Sequence, residues 1–287
     1  MPGFYPVPYF LYIGTSKSGS TWIFSVLSWH PQIHMYGGKD LSFFTHEYEN
    51  GWEWYVSQFE PAGSQPVVGE VSHSYLASEQ ACERIHAHLP HAKLMVCLRE
   101  PVDRTFSQYL DGIKNGKMRG TLEEELERTK SLTDRNRYGT HLEMYLARFA
   151  REQIHIASFD ELGADPEAFA TKMFAFLGVD PLGLPENLRK KVLPAGTPRV
   201  RSVAMAAKRV ARLADAVGLP QLRGKLKKSR FVRNLLYRPF SDGEKPKITQ
   251  AQRERLREMF APEIQKLDRV AGTDFCTLWN YPRGDKS

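Results

Sequence analysis

A chain of 287 residues, 41% apolar and 25% charged, has the make-up of an ordinary soluble globular protein, long enough to bury one α/β core or two small ones. Its three cysteines, Cys82, Cys97 and Cys276, have no metal-ligand spacing, and their odd number argues against a disulfide framework. The net charge of +7 is uneven: residues 186–240 hold fifteen Lys or Arg against two acids, which implies an anionic partner near that segment.

The first residues, MPGFYPVPYFLYIG, lack the basic start of a signal peptide. No apolar run approaches the ~20 residues that a bilayer crossing needs, so the expected setting is soluble and cytoplasmic. Residues 9–13 (YFLYI) read as a buried strand ending at Gly14. A helix is expected over 20–29, with Trp22, Val26 and Trp29 at helical spacing. The loop between them, GTSKSGST over 14–21, therefore feeds a helix N-terminus, where unpaired amides and the helix dipole favour a bound anion.

Further strands are expected over 66–69, 93–98 and 153–157, and helices over 78–88, 122–130, 139–149 and 166–177. Pro101 suits the first turn of a helix running through Arg104, Ser107 and Tyr109. Strands alternating with helices predict an α/β fold, a P-loop-like parallel sheet flanked by helices on both faces. Beyond Pro181 the strand signals fade; residues 203–216 read as a basic amphipathic helix, and 219–239 as more of the same, broken by Pro220 and Gly224. A closing helix is expected over 249–271, with Thr249 as N-cap and Pro262 as a kink or break. The organisation expected is one domain: a nucleotide-binding core over 8–180, a basic helical lid or subdomain over 186–240, and the closing helix within 249–273.

The loop itself departs from the P-loop of nucleotide hydrolases, G-x-x-x-x-G-K-[ST]. Ser20 stands where that motif keeps its lysine, and Lys17 lies inside the loop instead. The amides from Ser18 to Thr21 can still cradle a phosphate, and the hydroxyls of Ser20 and Thr21 can add donors. A kinase with a degenerate P-loop is one reading, but no strand ends in an aspartate suited to hold Mg²⁺.

The stretch from Thr15 to Trp22, TSKSGSTW, resembles the loop of sulfotransferases that use 3′-phosphoadenosine 5′-phosphosulfate (PAPS). The resemblance implies that the loop binds the 5′-phosphate, that Lys17 contacts the oxygen bridging phosphate and sulfate, and that Trp22 packs near the adenine. The stretch REPVDRTFSQY, directly after the 93–98 strand, resembles the family's second PAPS segment. Arg99 and Ser107 then stand at the positions that hold the 3′-phosphate.

Residues 39–44 (KDLSFF) and 51–55 (GWEWY), followed by 70–75 (EVSHSY), resemble the acceptor segments of the heparan-sulfate, Golgi-type branch. They imply acceptor contacts by Lys39, Phe43, Phe44, Glu70 and Tyr75. The base that takes the acceptor proton is Asp40, where the branch has glutamate, or His73, or Glu70. Val71 replaces a lysine of that branch. In the basic region, Arg199 and Arg201 are candidates for the 3′-phosphate side of the nucleotide. The implied function is sulfuryl transfer from PAPS to a hydroxyl of a carbohydrate or small natural product, with no metal required. A different class of reading is a module that binds an anionic surface or nucleic acid through 186–240, although no recognisable nucleic-acid motif accompanies it.

Overall fold

The computed structural model describes residues 7–60, 62–189, 196–198, 237–239 and 246–284. Five short runs form one sheet: β1 (Phe10–Gly14), β2 (Ile33–Met35), β3 (Val67–Val71), β4 (Lys93–Leu98) and β5 (Ile154–Ser158). Their order is β2-β3-β1-β4-β5, and every pairing is parallel. Parallel neighbours need crossovers, and helices supply them. These are α1 (Ser20–Trp29), α2 (Trp52–Ser57), α3 (Glu79–His88), α4 (Pro101–Lys114), α5 (Leu122–Arg128), α6 (Ser131–Asp134) and α7 (Tyr138–Leu146). Then come α8 (Phe159–Ala164), α9 (Pro166–Leu177), α10 (Glu186–Arg189), α11 (Gln250–Ala271) and α12 (Phe275–Leu278).

The expected α/β sheet is therefore present, with helices on both faces. Strand alternation sends Phe10 and Tyr12 of β1, with Met95 and Cys97 of β4, into a cluster with Ile23, Val26 and Leu27 of α1 and Phe169, Met173 and Phe174 of α9. Leu11, Ile13, Leu94 and Val96, which alternate with them, are equally buried. Strand β2 escaped the sequence reading because three residues carry no periodicity. Among the described residues no helix is long and apolar enough to cross a membrane.

The chain divides into two compact units: one of Met1–Thr105, Ser131–Val192 and Gln250–Ser287, the other of Phe106–Lys130 and Leu193–Thr249. In the second unit, Thr121 and Glu124 form a capping box that starts α5, and Glu125 accepts from the amides of Arg119 and Gly120 at 2.9 and 3.1 Å. The same unit holds an antiparallel ribbon of β6 (Gly196–Pro198) and β7 (Tyr237–Pro239). This corrects the helix expected through Pro239: proline forces an extended backbone on the residue before it, here Thr197 in one strand and Arg238 in the other. Most of the basic segment, including Arg199, Arg201 and the two amphipathic helices, lies outside the described residues.

Pro262 does not break α11, which runs through it for 22 residues. Interior proline costs about 3 kcal/mol. Leu256, Phe260, Ile264 and Leu267 are buried on either side of it, in a helix that packs along α7. At roughly 1.5–3 kcal/mol for each large apolar side chain, that stripe outweighs the proline.

Candidate functional site

Strands β1 and β4 are neighbours whose onward connections run to opposite sides of the sheet, so the crevice at their carboxyl ends is a topological switch point. The loop after β1 lies there. Gly19 ends it at φ +85°, as the N-cap of α1, and a Cβ added at Gly19 would stand 2.6 Å from Leu162 Cδ2. Glycine thus meets both the backbone and the space requirement. Among the described residues no side chain caps α1, and with the Trp22 amide bonded to the Gly19 carbonyl at 2.8 Å, the amides of Ser20 and Thr21 are the first-turn donors for an acceptor that the loop holds. The loop is braced from below: Tyr12 Oη donates to the Thr15 carbonyl at 3.0 Å, and the hydroxyls of Thr15 and Ser18 lie 2.7 Å apart.

Among the described residues, three cations reach this loop besides its own Lys17. Arg99, at the end of β4, donates Nη1 to the Lys17 carbonyl at 3.3 Å and lies 4.9 Å over the Phe159 ring. The two PAPS-like motifs therefore meet in space. Lys39 donates Nζ to Thr21 Oγ1 at 2.8 Å and to Ser20 Oγ at 3.3 Å. Arg135 donates Nη1 to Ser16 Oγ at 3.3 Å. Trp22, expected near an adenine, is instead a core anchor: its Nε1 donates to the Leu188 carbonyl at 2.6 Å, and its ring meets Phe169 edge-on. Ser107 lies half-buried on α4, in the second unit.

Beside Lys39 stands Asp40, in the left-handed region at φ 62° and held by its amide on the Val71 carbonyl at 2.7 Å. Its Oδ1 is hydrogen-bonded to His73 Nδ1 and accepts from the His73 amide at 3.4 Å. Both side chains remain partly exposed, at 37% for Asp40 and 28% for His73. Burial raises the Asp40 pKa, but the hydrogen bond and charge of His73, with the charge of Lys39, outweigh it and hold the carboxyl below its usual value. Two of the three candidate bases are thus one bonded pair. With Nδ1 engaged by a carboxylate, Nε2 is the ring nitrogen left to take a proton.

Glu70 is wholly buried, which sets it apart from the acceptor contact and base expected of it. It accepts from Tyr55 Oη at 2.9 Å, Tyr75 Oη at 2.8 Å and Ser72 Oγ at 2.6 Å. Ser72 Oγ in turn accepts from the Ser42 amide at 2.9 Å, so this cluster ties the backbone after Asp40 to the backbone before His73. Phe43, Phe44 and Tyr75 are also fully buried, with Phe43 stacked on Tyr55 at 4.3 Å. The four side chains resembling acceptor contacts form the frame behind the Asp40–His73 pair: the hydroxyls of Tyr55, Tyr75 and Ser72 satisfy the buried Glu70 carboxyl, and the phenylalanines pack against the tyrosine rings.

Burial drives the Glu70 pKa from 4.5 to about 7, against the pull of its three hydroxyl donors. The folded protein then keeps a proton that the unfolded chain releases near 4.5. Stability falls as pH rises from about 4.5 to about 7, and the loss is complete above that. Glu70→Gln keeps an acceptor for the tyrosines and removes the titration. The variant is expected to be more stable than the parent by about 3 kcal/mol at pH 8 relative to the difference at pH 4. Urea unfolding of both proteins at the two pH values checks this; a pH-independent difference contradicts it.

Sequence reasoning missed Arg135. The run DRNRY carries no recognisable motif. In the fold it is anchored by Arg104, which is wholly buried and bonded to Asn136 Oδ1 and, at 2.9 Å, to the Leu132 carbonyl. Burial lowers the Arg104 pKa to about 10, so its charge is kept. Asn136 completes the link by donating to Thr105 Oγ1 at 2.7 Å, and Tyr138 Oη donates to the Arg99 carbonyl at 2.9 Å. The segment therefore holds Arg135 and Arg99 against the same loop.

A family model described as a sulfotransferase domain matches residues 8–270. The chain is 40% identical over 106 residues to the membrane-associated sulfotransferase kil1 of Dictyostelium discoideum, covering 36% of this chain and 22% of that protein. It is 27% identical over 189 residues to heparan sulfate glucosamine 3-O-sulfotransferase 5 of Mus musculus, covering 61% of this chain and 54% of that one. The chain thus spans about half or less of the length of these relatives. A solved sulfotransferase from Alicyclobacillus acidocaldarius shares the fold, with a TM-score of 0.71 at 21% identity over 96% of this chain and 99% of that one.

Proposed function

The chain belongs to the sulfotransferase domain family, and on that premise we propose that it transfers the sulfuryl group of PAPS to a hydroxyl of a carbohydrate or small natural product. One observation carries the reading: Lys39, the neighbour of Asp40, donates to Thr21 in the first turn of α1. That contact joins the Asp40–His73 pair and the anion-binding loop into a single site. The acceptor oxygen attacks sulfur in line while its proton passes to His73 Nε2, with Asp40 orienting the imidazole. The sulfur–oxygen bond to the phosphate breaks on the far side, and its electron pair stays with 3′-phosphoadenosine 5′-phosphate (PAP). Lys17 and the first-turn amides of α1 stabilise that charge. Rate enhancement comes from positioning and fixed charge, with no covalent enzyme intermediate.

Arg99 serves the nucleotide end, supported by its contacts to the loop carbonyl and the Phe159 ring. Ser107, Arg199 and Arg201 remain proposals for the same end from the sequence alone, as does a cytoplasmic setting. Incubation with PAPS labelled in the sulfuryl group and a panel of sugars and small alcohols tests the function. The expected result is label in an acceptor, with PAP released in equal amount. Phosphoryl transfer from Mg²⁺·ATP in place of it would support the kinase reading.

A further inference from the structure

The roles given to the loop and to the Asp40–His73 pair leave one cation at the loop unassigned, Arg135. Arg135 is half-buried and bonded to Ser16 of the loop, and while burial lowers its pKa, the negative charge of Asp40 opposes that and favours the guanidinium. A guanidinium carries five N–H donors in a rigid fork. Among the described residues its hydrogen-bond partner is the Ser16 hydroxyl, at 3.3 Å. The Arg104–Asn136 network spends a wholly buried arginine on fixing the backbone next to it. No cation comes from β3, since Val71 is packed in the core cluster.

From this placement we propose that Arg135 grips the non-bridging oxygens of the sulfuryl group during transfer, as a catalytic residue in addition to Lys17. The inference rests on the sulfuryl-transfer reading above. In the step, the acceptor oxygen–sulfur bond forms as the sulfur–phosphate oxygen bond breaks. The acceptor proton goes to His73 and the electron pair to PAP. Arg135 exchanges no proton or electron pair; its two adjacent N–H groups follow the sulfuryl oxygens from donor to acceptor. A planar fork suits that task, because tetrahedral sulfate and the flattened transferring group both present paired oxygens.

PAP lacks the sulfuryl group, so it separates this role from simple support of the loop. Arg135→Ala should keep the PAP dissociation constant within about 2-fold of the parent while kcat with PAPS falls on the order of 10²-fold. Arg135→Lys should recover part of the lost kcat, and millimolar guanidinium should partly rescue Arg135→Ala without affecting the parent. PAP affinity falling in parallel with kcat would overturn the proposal in favour of a prop acting through Ser16. An unchanged kcat, or no rescue by either route, would overturn it as well. Parent protein that neither binds PAP nor uses PAPS would remove the underlying reading, a result visible before any variant is made.

Discussion

Replacing His73 with alanine is expected to lower kcat by about 10²–10⁴-fold, the usual contribution of a positioned general base. Asp40→Asn should cost nearly as much, because an amide can present its N–H to the ring and favour the wrong tautomer. The double variant should be little worse than either single one, since groups acting as a unit are not additive. This pattern follows from the bond between His73 Nδ1 and Asp40 Oδ1. It also follows from a carboxyl that His73 and Lys39 hold below its usual pKa despite burial, so that Asp40 stays charged and is a poor proton acceptor. Near-normal turnover in His73→Ala, with Asp40→Asn inactive, would make Asp40 the base and His73 its support. Steady-state rates at saturating PAPS, after each variant's fold is checked by circular dichroism, decide between the two.

Lys17 carries the second large effect. Removing a preorganised charge from a leaving group typically costs about 10²–10³-fold in kcat. Lys17 adopts φ 70°, a conformation that alanine resists at a cost of about 1–2 kcal/mol. Lys17→Asn is therefore the cleaner variant, since asparagine tolerates the left-handed region. It should fold with a thermal midpoint close to the parent and turn over on the order of 10²–10³ times more slowly. Parent-like turnover would remove Lys17 from the chemistry and leave charge stabilisation to the amides of α1.

The donor half of the site was legible because its signals are local. An apolar run ending in Gly14, a small-residue loop and a helix starting at Ser20 need only neighbouring residues to declare themselves, and α1 begins and ends where the periodicity places it. The place of Arg99 was legible for the same reason, as the residue that follows β4. The acceptor half was legible as a set of segments but not as roles. All five residues of β3 are buried, so nothing in the string VVGEV separates a ligand from a framework carboxyl; only Tyr55, 15 positions earlier, and Tyr75 reveal which Glu70 is.

Arg135 was the hardest residue to read. Its placement depends on Arg104, more than thirty positions away, being buried against Asn136. Pro262 shows the converse: a strong local signal for a break, overruled by an apolar stripe whose worth depends on α7 lying alongside it.

The proposed function requires Lys17 and Arg99 together to hold the nucleotide of PAPS. Calorimetric titration with PAP, in buffer containing a metal chelator, on the parent and on Arg99→Ala tests it most directly. Micromolar binding by the parent, weakened at least tenfold in the variant, is the predicted result. No binding of PAP, alongside binding of ATP that requires Mg²⁺, would contradict it and return the loop to a kinase.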